Sequence, residues 1–181
     1  MFRAISFAIA TFVIPLTIYN HNLVIAKTTT NYQISQNIKQ ARKITIDELG
    51  LGGIKLSTTE AQVRKILGKP IKVENSFIPA IGKVRTLKYA GITVDLDEGA
   101  KPGSFTVYQI KANSSKYSTI NGIKVGDRQS KVFSTYGKVE PSQDGKVTNL
   151  HYGVEEPSPA GFMFTVKNGK VTEILCFYVM N

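Results

Sequence analysis

Apolar residues recur with helical spacing at two places in the chain, and the first of these predicts a short capped helix. The apolar stripe, at positions i, i+3 and i+4, consists of Val63, Ile66 and Leu67. Ser57 and Glu60 stand three residues apart ahead of the stripe, which is the spacing of a capping box. Gly68 supplies a left-handed residue after the last turn, and Pro70 prevents the helix from continuing.

The second stripe predicts a similar helix with altered ends. Its apolar members are Val132, Phe133 and Tyr136. Asp127 is the expected cap, Ser130 replaces the carboxylate of the capping box, and Gly137 ends the helix. A helix of about ten residues is marginal in water by itself, so we expect both helices to pack against a sheet.

The remaining apolar positions alternate with polar ones or form short runs, which predicts antiparallel strands. Residues 92–97 alternate strictly, so one face of that strand should be packed and the other wet. The sequence favours a hairpin at Asn168-Gly169. Because the last strand is apolar on both faces, we place it centrally in the sheet. The predicted strands are 84–89, 92–97 and 105–111 in the first half, and 148–152, 161–167 and 170–180 in the second.

The two helical segments also resemble each other, which indicates an internal repeat. Residues 53–69 and 122–138 align without a gap at an offset of 69, and six of the seventeen pairs are identical. We therefore predict an α+β fold, made of two tandem helix-plus-antiparallel-strand units. The units should form one curved antiparallel sheet with the short helices packed on one face.

The chain begins with a segment that has the pattern of a secretory signal peptide. Arg3 precedes an apolar run, and no charge occurs from Ala4 to Ala26, so an uncleaved membrane anchor is the alternative. Cleavage would leave a secreted or periplasmic protein without a membrane span. The predicted organisation is a signal peptide at 1–26, a flexible tether at 27–43, a first repeat unit at 44–112, a connector at 113–119 and a second repeat unit at 120–181.

Charge and cysteine content narrow the classes of partner. The net charge of +10 permits contact with anionic partners, but the basic residues are scattered singly, without the aromatic interleaving of RNA-binding proteins. We therefore expect a solvated basic surface and no nucleic acid partner. Cys176 is the only cysteine, so no intramolecular disulfide can form, and we expect a buried thiol in a monomer.

A glycine-led, capped helix that ends in Leu67-Gly68-Lys69-Pro70 before antiparallel strands resembles the small outer-membrane-assembly lipoproteins of the SmpA/OmlA (BamE) type. Two such units in tandem resemble the beta-lactamase inhibitor protein fold. The chain lacks the lipidated cysteine of the first group, and it lacks the paired cysteines and tryptophans of the second. What the resemblance implies is a protein-binding scaffold that acts outside the cytoplasm.

The residue types that carry chemistry do not form a known catalytic or metal-binding motif. His151 lies in a predicted strand, outside any nucleophile-elbow sequence, and the sequence favours a surface role over a catalytic one. Asp95 and Asp97 share one strand face, where weak calcium contact is conceivable but solvated side chains are favoured. We therefore expect no enzyme activity, metal or cofactor.

The open face of the sheet is the predicted binding site. Alternation places Lys88, Thr93, Asp95, His151, Met163 and Thr165 away from the helices, and Tyr108 and Tyr178 are added as aromatic candidates. The predicted partner-binding residues are Lys88, Asp95, Tyr108, His151, Met163 and Tyr178.

Three hypotheses about function follow from this pattern. The first is a non-enzymatic binding module that recognises a protein or cell-envelope component through this face. The second is a small extracytoplasmic hydrolase or ligand-binding enzyme that uses His151. The third is a binder of anionic surfaces, driven by the charge of +9 that remains once Arg3 is removed with the leader.

Overall fold

Strands dominate the structure, a computed structural model that describes residues 42–154 and 159–179. The predicted signal peptide at 1–26 and most of the predicted tether at 27–43 lie outside the described residues. None of the described helices is both long and apolar enough to cross a membrane. The elements are β1 (Gly50–Leu51), β2 (Ile54–Lys55), α1 (Glu60–Leu67), β3 (Lys72–Ile78), β4 (Gly82–Tyr89), β5 (Ile92–Asp97), β6 (Thr106–Ala112), α2 (Gln129–Tyr136), β7 (Ser142–Asp144), β8 (Val147–Val154), β9 (Ala160–Lys167) and β10 (Lys170–Tyr178).

Eight of these strands form one antiparallel sheet in the order β3-β4-β5-β6-β10-β9-β8-β7, and β1 and β2 form a separate ladder. Each half of the described chain therefore supplies one helix followed by a four-stranded meander. The halves meet where β6 pairs with β10, for example at Ile110 opposite Cys176. The central position predicted for the last strand is confirmed, since β10 is paired on both sides.

The α+β class predicted from the sequence is wrong, because the described residues form a mostly antiparallel β structure. They contain ten strands, two α-helices of eight residues each and one 3-10 turn at Ile46–Glu48. We expected each half to supply three strands to the sheet, but each supplies four, and the first half also forms the separate ladder of β1 and β2. The additional strands β3 and β7 lie at the two edges of the sheet, where almost every residue is exposed and no alternation of apolar and polar residues marks a strand.

The core lies between one face of the sheet and the two helices. Val63 of α1 and Val132 of α2 are fully buried and belong to the same cluster as the inward residues of the central strands. Four aromatic rings fill the second half of this core, with neighbouring centroids 5.3 to 5.9 Å apart. They belong to Tyr136, Tyr152, Phe162 and Phe164.

The ends of the two helices are as predicted, but their starts are not. Gly68 and Gly137 have φ of 81° and 86° and end α1 and α2, which confirms both closing glycines. In α1 the capping box consists of Thr59 and Gln62, whereas the predicted cap Ser57 has φ of 63° and donates its N–H to the carbonyl of Val107. The predicted capping box required the N–H of Ser57 to bind the side chain of Glu60, but this N–H already donates to β6.

The second helix lacks the predicted side-chain cap as well. Its N-cap position is occupied by Arg128, whose side chain makes no capping hydrogen bond. The carboxylate of Asp127 accepts instead from the N–H of Lys124 at 2.9 Å and from Nζ of Lys131 at 2.8 Å. It thereby closes the preceding turn and forms an i,i+4 ion pair along the helix.

The apolar stripe of α1 is narrower than the sequence indicates. Val63 is fully buried and Leu67 packs partly against the core, but Ile66 is 49% exposed. The prediction that Ile66 faces the sheet is therefore wrong. An eight-residue helix makes only about two turns, so it can bury one or two side chains on a sheet and leaves the rest in solvent.

The segment that precedes β1 is tied to the end of α2. Arg42 donates its backbone N–H to the carbonyl of Tyr136 and its Nε to the carbonyl of Thr135. Its guanidinium binds Glu48 in a bidentate pair at 2.6 and 3.1 Å. The hydrogen bond from Arg42 is the main reason that the pKa of Glu48 falls to about 2. An N–H donated by Thr45 and an amide of Asn121 lower that pKa further.

Candidate functional site

The two faces of the large sheet differ in what covers them. Inward residues such as Leu87, Val94 and Leu150 have no exposed surface and face the helices. Most of the alternate residues are partly or fully exposed, although Val84, Tyr108 and Gly161 are buried, and no described helix packs on this face. This second surface is the open face of the sheet, on which the sequence predicts the partner-binding residues.

An apolar strip crosses the middle of the open face, and polar residues lie at both of its ends. The strand registers put Lys111 opposite Leu175, Leu175 opposite Met163, and Met163 opposite His151. Leu175 and Met163 are half-buried, whereas Lys111 and His151 are exposed. The strip therefore offers apolar contact in the centre and hydrogen-bonding groups at its margins.

Phe177 extends this strip into the next row of the sheet. It lies opposite Gln109 on one side and opposite Gly161 on the other, and Gly161 lies opposite Gly153. The two positions beyond Phe177 therefore carry no side chain. A Cβ atom at Gly161 would collide with the carbonyl of Tyr152, so glycine is required where β8 and β9 approach so closely. No side chain therefore stands beside the ring of Phe177 on this side of the open face.

Asp95 is held in a fixed orientation beside this strip. The hydroxyl of Thr86 donates to its Oδ1 at 2.5 Å, and the amide of Gln109 donates to its Oδ2 at 3.0 Å. Both donors lie directly opposite Asp95 on the neighbouring strands β4 and β6. Because both oxygens already accept hydrogen bonds, the carboxylate is held in one orientation. Its remaining lone pairs, which could accept from a partner, therefore have fixed directions.

Lys88 belongs to an ion-pair group at the first-half end of the open face. Its Nζ lies 2.8 Å from Glu74, which also pairs with Lys72 at 2.7 Å. Hydrogen bonds from Lys72 and then from Lys88 lower the pKa of Glu74 to about 2. Exposed ion pairs of this kind add little to the free energy of unfolding. Their relevance here is that they set the local charge of the surface that a partner would contact.

Tyr108 reaches the open face because the strand β6 contains a bulge. The register shifts between Asp95 and Leu96, so that Asp95 pairs with Gln109 and Leu96 with Val107. Tyr108 is the extra residue, and although it is only 9% exposed it stands outside the core cluster. Its pKa is raised mainly by burial and further by the negative charges of Asp95 and Asp97.

Tyr178 is on the other face, which corrects the prediction for this residue. Its hydroxyl lies 3.0 Å from Oγ of Ser57, a residue of the segment on the helix side, and its ring packs against the core. Tyr178 and Tyr108 nonetheless meet in one cleft of about 380 Å³, at the end of the sheet where the pairing of β6 with β10 stops. Counting from Cys176 would have placed Tyr178 correctly, because no bulge separates the two residues and Cys176 is fully buried.

His151 is exposed on β8, and its closest polar contact is with the neighbouring edge strand. Its Nε2 lies 3.4 Å from Oγ of Ser142. A catalytic histidine also needs a group that orients the imidazole, and the described residues supply no hydrogen bond to its Nδ1. The interpretation of His151 as a catalytic base therefore has one contact in its favour, and it stays a prediction.

Metal binding has little support within the described residues. No group of three histidine, cysteine or carboxylate side chains there is arranged to hold an ion. Asp95, one of the carboxylates considered for calcium, is already hydrogen-bonded to Thr86 and Gln109. Cys176 is fully buried, and burial raises the pKa of its thiol far above the ordinary value, so it is an apolar core residue and not a thiolate ligand.

The structure brings five of the six predicted residues to the open face and adds residues that the sequence analysis missed. Lys88, Asp95, Tyr108, His151 and Met163 share it, whereas Tyr178 does not. The missed residues are Gln109, Lys111, Leu175 and Phe177. A signal for the last two was present, because the last strand is apolar on both faces and only one of its faces can join the core.

No protein-family model, no curated protein and no solved structure matches this chain. The resemblance to the assembly lipoproteins and to the beta-lactamase inhibitor fold therefore depends on the quoted motifs alone.

Proposed function

We propose that the protein is an exported, non-enzymatic binding module that holds a protein or cell-envelope component against the open face of its sheet. The observation that carries this proposal is the half-buried strip of Leu175, Met163 and Phe177 on a face that no described helix covers. The export part of the proposal depends on the signal-peptide pattern of residues 1–26.

The composition of the strip suits recognition. Phenylalanine and methionine are enriched at the centres of interfaces, and a methionine can adapt its shape to the partner. Phe177 is next to two glycine positions, so a partner residue can approach the ring without displacing a side chain. Fully burying an exposed leucine or phenylalanine contributes about 1.5–3 kcal/mol, and since these side chains are already half-buried, a partner would gain about 1 kcal/mol from each.

The polar margin of the strip suits selectivity. Asp95 is held by Thr86 and Gln109 before any partner arrives, so little ordering is needed when it accepts a further hydrogen bond. Lys111 lies at the margin as an exposed cation beside Leu175. A partner with an apolar centre, a donor opposite Asp95 and an acidic group opposite Lys111 would match this arrangement.

Site-specific photo-cross-linking tests which face is used. A benzoylphenylalanine at Met163 should yield a discrete adduct in an envelope extract from the producing cell. The same group at Ile66 is the matched control, because Ile66 is an exposed apolar residue on α1, which packs on the other face. Equal adducts from both positions, or none from Met163, would show that the open face is not the binding site.

A second measurement uses the partner identified in that way. The double variant Leu175→Ala/Phe177→Ala should weaken binding at least about tenfold, since truncated central residues typically cost more than 1 kcal/mol each. Thr165→Ala, on the same face but outside the strip, should change binding less than about twofold. Unchanged affinity in the double variant would reject the strip as the contact.

A further inference from the structure

The two edges of the large sheet are built differently. The strand β7 forms one edge with three polar residues, Ser142–Asp144, all of them exposed. The strand β3 forms the other edge with seven residues, Lys72–Ile78, each in register with β4. A short polar edge discourages pairing with another chain, whereas a long edge strand presents a row of backbone N–H and C=O groups that can pair with one.

The long edge strand also exposes apolar side chains to solvent, which is costly. Val73 is 40% exposed and Phe77 is 70% exposed, although both lie on the side of the sheet that carries the helices. α1 does not reach them, because it lies over β4, where Glu60 binds Arg85 at 2.6 Å. The edge strand therefore extends beyond the helix and leaves two apolar side chains uncovered. Ile71 and Ile78, at its ends, are 76% and 36% exposed.

We propose that this edge is the interface between two copies of the chain, which pair β3 with β3 in antiparallel fashion about a two-fold axis through Asn75. This inference does not depend on the proposed function, and it replaces the monomer expected from the sequence. In this register all seven residues of each strand are paired. Val73 of each copy lies opposite Phe77 of the second copy, so the four uncovered apolar side chains form two Val73–Phe77 pairs, one on each side of the central pair of Asn75 residues.

The charges and the turn residues favour this register over its neighbours. Lys72 lies opposite Ile78 and Glu74 opposite Ser76, so no like charges face each other directly, and the ion pair of Lys72 with Glu74 is kept. A slip of two residues in one direction would place Glu74 opposite Glu74 of the second copy. A slip in the other direction would place Val73 opposite Pro79, which has no N–H to donate.

The helices leave room for this pairing. Two copies of β4 would be separated by three strand spacings, which is about 14 Å. The helices lie above β4 or further from the axis, so their axes would be wider apart than the 8–10 Å typical of packed helices. The space between them is where the two pairs of Val73 with Phe77 would lie.

The size of the interface predicts a weak dimer. The exposed parts of Ile71, Val73, Phe77 and Ile78 amount to roughly 400 Å² per copy, or about 800 Å² for the pair, which is below the ~1,200 Å² of standard stable interfaces. Main-chain hydrogen bonds along seven residues would add to this. We therefore expect a monomer–dimer equilibrium that depends on concentration, with charge repulsion between chains of +10 relieved by added salt.

The register makes a cysteine at position 75 diagnostic, because only that residue faces its own copy across the axis. Asn75→Cys should form a covalent dimer rapidly under mild oxidation or with a short thiol cross-linker. The native Cys176 is fully buried and does not compete. Ser142→Cys, on the other edge strand, is the matched control and should react much more slowly. Equal rates for the two variants would overturn the proposal.

Sedimentation velocity over a range of concentrations gives the second test. The unmodified protein should shift toward a dimer as concentration rises, and Phe77→Lys should weaken the dimer at least about tenfold. Ile66→Lys, which adds the same charge at an exposed apolar residue of α1, should have little effect. Circular dichroism shows that each variant is folded. A protein that stays monomeric at near-millimolar concentration, or a folded Phe77→Lys variant that dimerises normally, would refute the interface.

Discussion

Removing the hydroxyl group of Tyr152 should destabilise the protein more than removing that of Tyr136, although the two rings are neighbours. Tyr152 is 3% exposed, and its hydroxyl donates to the carbonyl of Gly137 at 2.7 Å. Gly137 is the buried residue that ends α2. In Tyr152→Phe this carbonyl loses its donor in a dry site, which costs about 1–3 kcal/mol.

The hydroxyl of Tyr136 has a partner that keeps another hydrogen bond. It donates to Oγ1 of Thr119 at 2.9 Å, and the same oxygen accepts the N–H of Ile123 at 3.1 Å. Tyr136→Phe therefore leaves Thr119 partly satisfied and should cost about 0.5–1.5 kcal/mol. For a domain of this size, 1 kcal/mol corresponds to a Tm shift of roughly 2–4 °C, so the two variants should be resolved.

Urea titration followed by circular dichroism measures these free energies, and an unchanged m-value checks that both variants unfold in the same way. Tyr178→Phe is the control, because its hydroxyl contacts Ser57 in an exposed position, and it should cost less than about 0.5 kcal/mol. If Tyr136→Phe were the more destabilising variant, or if both behaved like the control, the role assigned to the buried carbonyl of Gly137 would be wrong.

Three further predictions follow from other contacts. Glu48→Gln should cost about 1–2 kcal/mol at neutral pH, a value reduced for partial solvent screening since the Glu48 side chain is 21% exposed. Because Arg42 lowers the pKa of Glu48 to about 2, this contribution is present above the ordinary value of 4.5 and is lost as pH falls toward 2. Urea titrations of both proteins at pH 7 and pH 3 should show that difference shrinking, and a difference that persists would contradict it. Val63→Ala should cost about 2 kcal/mol and Ile66→Ala less than about 0.5 kcal/mol by urea titration, because only Val63 is buried, and equal losses would refute the placement of α1. His151→Gln should leave the rate of ester or peptide hydrolysis unchanged in a spectrophotometric assay, whereas loss of a measurable activity would favour the hydrolase hypothesis.

The parts of the fold that sequence predicts here are those fixed by local chemistry. Gly68 and Gly137 end the helices because a positive φ is needed at each position. The strand β5 shows strict alternation because one of its faces is buried, and its bounds are as predicted. The hairpin at Asn168-Gly169 joins β9 and β10, since both residues tolerate positive φ.

The parts that sequence missed depend on contacts between distant segments. Ser57 has the right spacing for a cap, but the carbonyl of Val107 on β6 accepts its N–H and the hydroxyl of Tyr178 binds its side chain. The segment 113–119 was expected only to connect the two units, yet Tyr117 and Thr119 are buried in it. Their hydroxyls bind the carbonyl of Ala90 and the hydroxyl of Tyr136, partners that no local pattern specifies.

The residues of the open face could be predicted only where inward and outward side chains alternate regularly along a strand. Lys88, Asp95, His151 and Met163 were placed on the correct face because their strands have no bulge between them and the buried residues that set the parity. The bulge in β6 breaks that counting for Tyr108, whereas no bulge separates Tyr178 from the buried Cys176, and the alternation there was not used. Which of these residues a partner contacts is a question of surface chemistry, and it stays a prediction.

The differences between the two halves are more informative about function than the order of elements they share. The first half supplies the long, partly apolar edge strand β3 and presents Lys88 and Asp95 on the open face. The second half supplies the short polar edge strand β7 and presents the apolar residues Met163 and Leu175. Glycines that close helices tolerate no such divergence, because they are fixed by backbone geometry. The charged residues of the first half and the apolar residues of the second are joined through β6 and β10, which produces one face with a graded chemistry that neither half would possess alone.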